Sequence, residues 1–378
     1  MAVRPKVTIV TPVYDGEALL TDAIESVRAQ TYSDWKHIIV DNSSTDGTFE
    51  IARRCAARDE RIKVVRLAPH LPVIQHWNRA FELLPADTVY CKELHADDVL
   101  RPNCIAEMVD FMERHPSVSL VSSYIMYDDA VSNTGVPLKT PVVPGAEVIR
   151  RTLTGEWYLF GCPSSVMIRM DALRALGGQP YDETVRHADI DLWYRLLDGR
   201  DFGFIHQVLS CERTHDSSQT NGLTARYSTL VLEHLCFLRH YGPRYLSPEA
   251  YRRAHLVQLR EYRRRIARRL VGGGGLAYWR YHSKTMARYG YRLGATDVVL
   301  GVLSELALWI IDMRHAARSC RKLLGKISRG VRRIPSGLKQ DAPARGEKEG
   351  IVATRAVRRL RWLRPRAADQ IGSSSVSQ

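Results

Sequence analysis

The feature that most restricts the fold of this chain is the exchange of two periodicities along roughly its first 215 residues. Short β-branched runs are each followed by a segment with helical spacing. VTIVTPV (7–13) precedes a stretch in which Leu20, Ala23, Ile24 and Val27 share one helical face. HIIVDN (37–42) leads through a Ser/Thr/Asp/Gly turn into FEIARRCAA. IKVVRL (62–67) precedes VIQHWNRAFELL, TVYCKEL (88–94) precedes NCIAEMVDFMERH, and SVSLVSSY (117–124) is a fifth strand. SSVMIRM and FGFIHQVLS read as later strands, with ADIDLWYRLLDG a short helix between them. Strands separated by single helices form βαβ units. The expected fold is therefore α/β, a doubly wound, mixed but mostly parallel sheet with helices on both faces. Such sheets gather ligands at the carboxyl ends of their strands.

Several loops at those ends are rich in polar side chains. Thr11-Pro12-Val13-Tyr14-Asp15 follows the first strand, Asp41 opens a run to Thr48, and His95-Ala96-Asp97-Asp98 follows the fourth. Asp189 lies in the late helix, and Arg213-Thr214-His215-Asp216-Ser217-Ser218 follows the last strand. Part of this is ordinary architecture. Ser, Asp and Gly belong in turns and caps, with Asp46 or Thr48 the expected cap of the second helix, and acids are favoured at helix starts. A carboxylate at a strand end can also read a nucleotide base or ribose. Adjacent carboxylates behind a histidine suit a hard divalent cation shared with phosphate. P-loop and G-x-G-x-x-G patterns are absent, which argues against ATPases and dehydrogenases. Gly272 to Gly275 follows no strand and reads as a hinge.

The net charge of +14 suggests a polyanionic partner until it is divided along the chain. Residues 251–378 hold 29 Lys+Arg against 8 Asp+Glu, whereas residues 1–250 hold 26 against 33. An acidic front is thus joined to a basic back. Seven cysteines without a C-x-x-C pair read as reduced thiols in a cytoplasmic protein. The N-terminus enters a strand at once, without the apolar core of a signal peptide. The nearest approach to a membrane span, Val298 to Ile311, is too short and carries Glu305.

The stretch TIVTPVYDGEALLTDAIESVRAQTYSDWKHIIVDNSSTDGT closely resembles the N-terminal signature of the family 2 inverting glycosyltransferases. ELHADDVLRP, GCPSSVMIR, HADIDLWYRLL and CERTHDSS follow in that family's order, so the resemblance covers residues 6 to about 220. It implies a GT-A fold, in which a nucleotide-binding half and an acceptor half share one sheet. It also implies that Pro12 and Tyr14 line the nucleobase pocket. Asp41 would accept a hydrogen bond from the base, the N3–H of uracil or thymine. Asp97 would contact ribose or metal, and Asp98 would hold the divalent ion, Mn²⁺ or Mg²⁺, that bridges the diphosphate. His215 would complete the metal shell, Arg213 would face the diphosphate, and Ser217 would add a phosphate contact. Asp189 would be the general base, with Asp191 the competing choice.

The activity so implied is metal-dependent inverting transfer of a sugar from a nucleotide diphosphate sugar, UDP or dTDP. The acceptor would be a saccharide or a lipid-linked oligosaccharide in cell-surface polysaccharide synthesis. A close variant transfers to polyprenyl phosphate, whose anionic oxygen needs no strong base. Two positions depart from the pattern. His95 stands where many relatives have an acid. His76-Trp77-Asn78 stands where many carry an Ala-Arg motif, so another cation, Arg213, is expected to compensate for a missing phosphate contact.

The expected organisation is a catalytic domain over 1–222, a basic helical extension over 223–334 and a disordered basic tail over 335–378. Leu256, Leu259, Tyr262 and Ile266 form one apolar stripe, which suits packing on the catalytic domain. Cationic amphipathic helices equally suit the headgroup region of an anionic membrane, consistent with a cytoplasmic protein held peripherally on the inner face. A basic nucleic-acid-binding protein is the competing class. The chain has no recognition motif and its basic residues lie apart from the strand-end acids, so no nucleic-acid partner is expected.

Overall fold

β1 (Val7–Val13) is buried at every position, as befits a central strand covered on both faces. It pairs in parallel with β2 (Trp35–Asp41) and β4 (Tyr90–Glu93), and β2 pairs in parallel with β3 (Ile62–Arg66). Helices α1 (Leu20–Arg28), α2 (Thr48–Ala56) and α3 (Val73–Glu82) make the crossovers. α1 buries Leu20, Ala23, Ile24 and Val27, the face its spacing predicts. Alternate residues of β1 enter different apolar clusters, Val10 one and Ile9 and Val13 the other, because successive side chains of a strand point to opposite faces.

The second half adds β5 (Val99–Leu100), α4 (Cys104–Arg114), β6 (Val118–Tyr127), β7 (Ala130–Ser132), β8 (Val142–Pro144), α5 (Gly145–Leu153), β9 (Val166–Arg169), α6 (Met170–Leu176), α7 (Ala188–Leu196) and β10 (Asp201–Glu212). The sheet order is β3-β2-β1-β4-β9-β6-β10-β5, with β7 on β6 and β8 on β10. The long pairings are parallel, including β6 with β10. The short pairings of this half are antiparallel: β9 with β4 and β6, and the rim strands β5, β7 and β8. The chain enters β9 through a single 3₁₀ turn, Pro163–Ser165, directly before the strand. The buried Lys92 on β4 fastens this junction, donating to the carbonyls of Ser164 (2.6 Å) and Val166 (3.1 Å). Loss of water pushes its pKa down.

Gly145 starts α5 where a Cβ would overlap the carbonyl oxygens of Leu197 and Arg200. Gly145→Ala is expected to cost about 1–3 kcal/mol, read from the urea unfolding midpoint at constant slope.

The computed structural model describes residues 7–127, 130–133, 135–177, 179–213, 227–271 and 275–307, all within one unit, Met1–Met313. After the sheet come α8 (Thr229–Tyr245), α9 (Pro248–Val271), α10 (Gly275–Arg288) and a helix over 295–307. α8 is pinned to the α/β part. Glu233 accepts the backbone N–H groups of Arg186 (2.9 Å) and His187 (2.6 Å), and His234 bonds the Thr152 carbonyl at 3.0 Å. In α9, Leu259, Tyr262 and Ile266 are buried but Leu256 is 68% exposed. The expected apolar stripe therefore loses one member; its other three join a cluster among the C-terminal helices, while Ala254 packs with the α/β core. Among the described residues no helix is long and apolar enough to cross a membrane, and six cysteines are free thiols. His215, Ser217 and the expected tail over 335–378 lie outside the described residues, as does most of the expected glycine hinge.

Candidate active site

Two loops at the carboxyl ends of β1 and β2 are lashed together. The N–H groups of Asp15 and Gly16 donate to Ser44 Oγ (3.0 Å) and Thr48 Oγ1 (2.7 Å). In return, the N–H groups of Thr45 and Gly47 donate to Asp15 Oδ1 (2.8 Å) and Glu17 Oε2 (2.7 Å). Gly47 holds the N-cap position of α2, while Asp46 Oδ1 accepts the Thr48 N–H at 3.0 Å. The capping work expected of Asp46 or Thr48 thus falls to Asp46, one residue outside the cap.

Asp41 ends β2 opposite Val13. Its carboxylate has no exposure, being covered by Arg66 Nε at 3.3 Å and by the Ser44 N–H at 3.3 Å. Tyr14 is 47% exposed, and its ring meets His70 edge-on at 4.5 Å. Pro12, expected as a pocket wall, is buried near the end of β1. The accessible aromatic wall is Tyr14 with His70.

The loop between β4 and β5 brings His95, Asp97 and Asp98 together, with one ligand atom from each inside a 4.8 Å cluster. Asp98 is buried, accepting Cys162 Sγ–H (3.7 Å) and the Arg213 backbone N–H (3.4 Å). Burial raises its pKa, with His95 opposing and Asp97 adding to the rise. The His95 ring stacks on Trp77 (5.5 Å, 23°) and pairs through Nε2 with Glu93 Oε1 at 3.4 Å. Burial opposes its charge, yet Glu93, Asp98 and Asp97 outweigh that and hold its pKa at about 10. Glu93 is buried and takes the Tyr181 hydroxyl on its other oxygen. Two crowded carboxylates beside His95 form a donor set that a divalent ion would neutralise, the ion displacing the imidazolium proton as it binds. Oxygen donors suit Mg²⁺ and Mn²⁺, and the nitrogen favours the softer Mn²⁺.

Asp189 sits in the first turn of α7. It keeps an opening to solvent, but the surrounding protein displaces enough water to raise its pKa to about 6, with the Ile190 N–H and His95 opposing and Glu93 adding to the rise. Asp191 is tied up as a brace, holding Arg195 Nε at 2.8 Å and the Tyr241 hydroxyl at 2.5 Å.

Arg213, expected to face the diphosphate, donates from its guanidinium to the Asp97 carbonyl (2.5 Å), Asp22 Oδ2 (2.6 Å) and the Leu19 carbonyl (3.1 Å). Three of its five N–H groups thus tie α1 to the 95–98 loop. Glu93, Trp77, Tyr181 and Glu212 also stand around this cluster, and the motif pattern gives none of them a role. Glu212 ends β10, and burial together with Asp98 lifts its pKa to about 7. Being the last residues of their strands is the signal that marks both acids, whereas Tyr181 carries none.

The glycosyl transferase family 2 model matches residues 8–177. EpsE of Bacillus subtilis (strain 168), assigned as a glycosyltransferase, is 30% identical over 196 residues, 51% of this chain and 67% of its own length. TuaG of the same organism, a glycosyltransferase assigned to teichuronic acid biosynthesis, is 30% identical over 159 residues, 37% of this chain and 62% of its own. The structure of the mannosyltransferase PcManGT from Pyrobaculum calidifontis, in complex with GDP-Man and Mn²⁺, is similar in fold. It aligns with a TM-score of 0.51 at 16% identity, over 80% of this chain and 85% of that one. With the family pattern running from β1 through α6 and EpsE matched over two thirds of its length, this chain belongs to glycosyl transferase family 2 and is a glycosyltransferase of GT-A fold.

Proposed function

We propose that the enzyme transfers a sugar, with inversion and with the help of a divalent metal, from a UDP- or dTDP-sugar to a saccharide or lipid-linked acceptor on the cytoplasmic side, in making a cell-surface polysaccharide. The observation that carries this reading is the His95, Asp97 and Asp98 cluster, whose His95 lies close enough to Asp189 for their charges to interact. TuaG's assignment supports the polysaccharide, and PcManGT's ligands support the metal and a nucleotide sugar.

Tyr14 and His70 offer ring surfaces for the base. Arg66 is half-exposed, and an outward turn of its side chain would open Asp41 to a pyrimidine N3–H. Asp98 and His95 would hold the ion, with Asp97 on the ion or the ribose. When bound, it neutralises charge growing on the departing diphosphate. Asp189, deprotonated, takes the acceptor hydroxyl's proton as that oxygen bonds to the anomeric carbon and the bond to the diphosphate breaks. Glu93 positions His95, as carboxylates behind ligating histidines do.

A thermal-shift series of nucleoside diphosphates and nucleotide sugars with and without Mn²⁺ tests the reading. A uridine or thymidine diphosphate at about 100 times its Kd is expected to add about 2.7 kcal/mol with metal present. No shift with any nucleotide overturns it. Glu93→Gln is expected to weaken Mn²⁺ binding by about 10–100-fold, read from the free-Mn²⁺ EPR signal.

A further inference from the structure

The helix over 295–307 is built inside out. Its acids point inward. Asp297 takes Arg263 Nε at 2.8 Å, while Glu305 takes Arg264 Nε at 2.5 Å and Arg268 Nη2 at 2.8 Å, all from α9. Gly301 permits the close approach, since a Cβ there would overlap the Arg263 carbonyl oxygen. The outward side carries Val299, Leu300, Leu303 and Leu306, each 44–56% exposed. Their spacing of three and four puts them on one face. A helix packed on a water-soluble protein normally buries that face.

α9 extends the same surface. Leu256, Arg260, Arg264 and Arg268 follow at intervals of four along one ridge, and the last two hold Glu305. Arg260 and Arg268 are exposed along this ridge, whereas Arg264 is taken up by Glu305 and Glu261. The next stretch of sequence, 308–334, has eight Lys/Arg against one acid.

We propose that this face docks on an anionic lipid surface. Its leucines enter the boundary between headgroups and acyl chains, and the exposed Arg260 and Arg268 meet the headgroup phosphates. Among the described residues no helix is long and apolar enough to cross a membrane, and the exposed leucines occupy one side only, as in a helix lying in the plane. Charge selects this occupant over a second copy, because face-to-face pairing would bring together two copies of α9, each with eight arginines against two glutamates. The proposal does not depend on the nucleotide reading, and vesicle binding can fail while nucleotide binding stands.

The test sediments the full chain with phosphatidylcholine vesicles, with and without phosphatidylglycerol. Recovery is expected with the anionic vesicles, falling as salt is raised. Replacing Leu300 and Leu303 together by Ser is expected to weaken it roughly tenfold or more. Arg260→Glu should also weaken it and flatten the salt dependence. Unchanged thermal unfolding of each variant confirms that it is folded. Failure to bind anionic vesicles, or equal binding by the double variant, overturns the proposal. A double variant that turns a dimer into a monomer on size exclusion also overturns it and assigns the face to a second copy.

Discussion

Asp189→Asn is expected to lower kcat by roughly 10²–10⁴-fold, the usual worth of a positioned general base, with nucleotide affinity unchanged. The amide keeps the shape of the carboxylate but has no site for a proton. The wild-type pH profile should carry the same signature. Burial raises the Asp189 carboxyl to about 6, so the base is ionised above that pH and protonated below it. kcat/KM is expected to fall on the acid side with an apparent pKa near 6, and the limb should vanish in the Asn variant. Initial rates from pH 5 to 8 with a saturating donor decide it. Turnover near wild type in Asp189→Asn would point instead to polyprenyl phosphate as acceptor, since a phosphate oxygen has no proton to lose.

Asp98→Asn is expected to lower turnover by roughly 10³-fold or more by removing the acid at the centre of the cation cluster. The change separates chemistry from folding. Burial and Asp97 both raise the Asp98 pKa, so its ionised form is held in the fold against a cost. An acid with its folded pKa above its unfolded value destabilises the fold as pH rises through that range. The Asn variant should therefore unfold at the same or a higher temperature than the wild type near neutral pH, while losing the Mn²⁺-dependent part of nucleotide stabilisation. An inactive variant that still shows full Mn²⁺-dependent stabilisation would remove Asp98 from the metal site.

The parts of this molecule visible in its sequence are those set by local periodicity. The α1 face and the acids at strand ends follow from spacing alone, because strand direction fixes where a parallel strand's last residue points. What the sequence did not disclose depends on distant segments meeting. Glu93, Tyr181 and Asp189 come together because β9 is inserted against β4 in the opposite sense, a topological event with no local signal. The ties made by Arg213 have no local signal either, because its partners Asp22, Leu19 and Asp97 lie far away in sequence. The burial of Asp41 depends on Arg66, the last residue of the neighbouring strand, folding over it. Leu256 left the core because helical spacing gives the width of an apolar stripe but not its rotation against a neighbour.

One further property follows from the parallel ladder β2-β1-β4. Neighbouring strands sit about 4.8 Å apart, so two spacings, about 10 Å, separate the strand ending in Asp41 from the strand that leads to Asp98. Backbone hydrogen bonds set that distance, and no side chain can lengthen it. The sheet thus acts as a fixed gauge between the place proposed to read a base and the place proposed to hold the ion. On that proposal, substitutions around Tyr14, His70 or Trp77 would change which donor is preferred, while the reach required of the donor would stay built into the main chain.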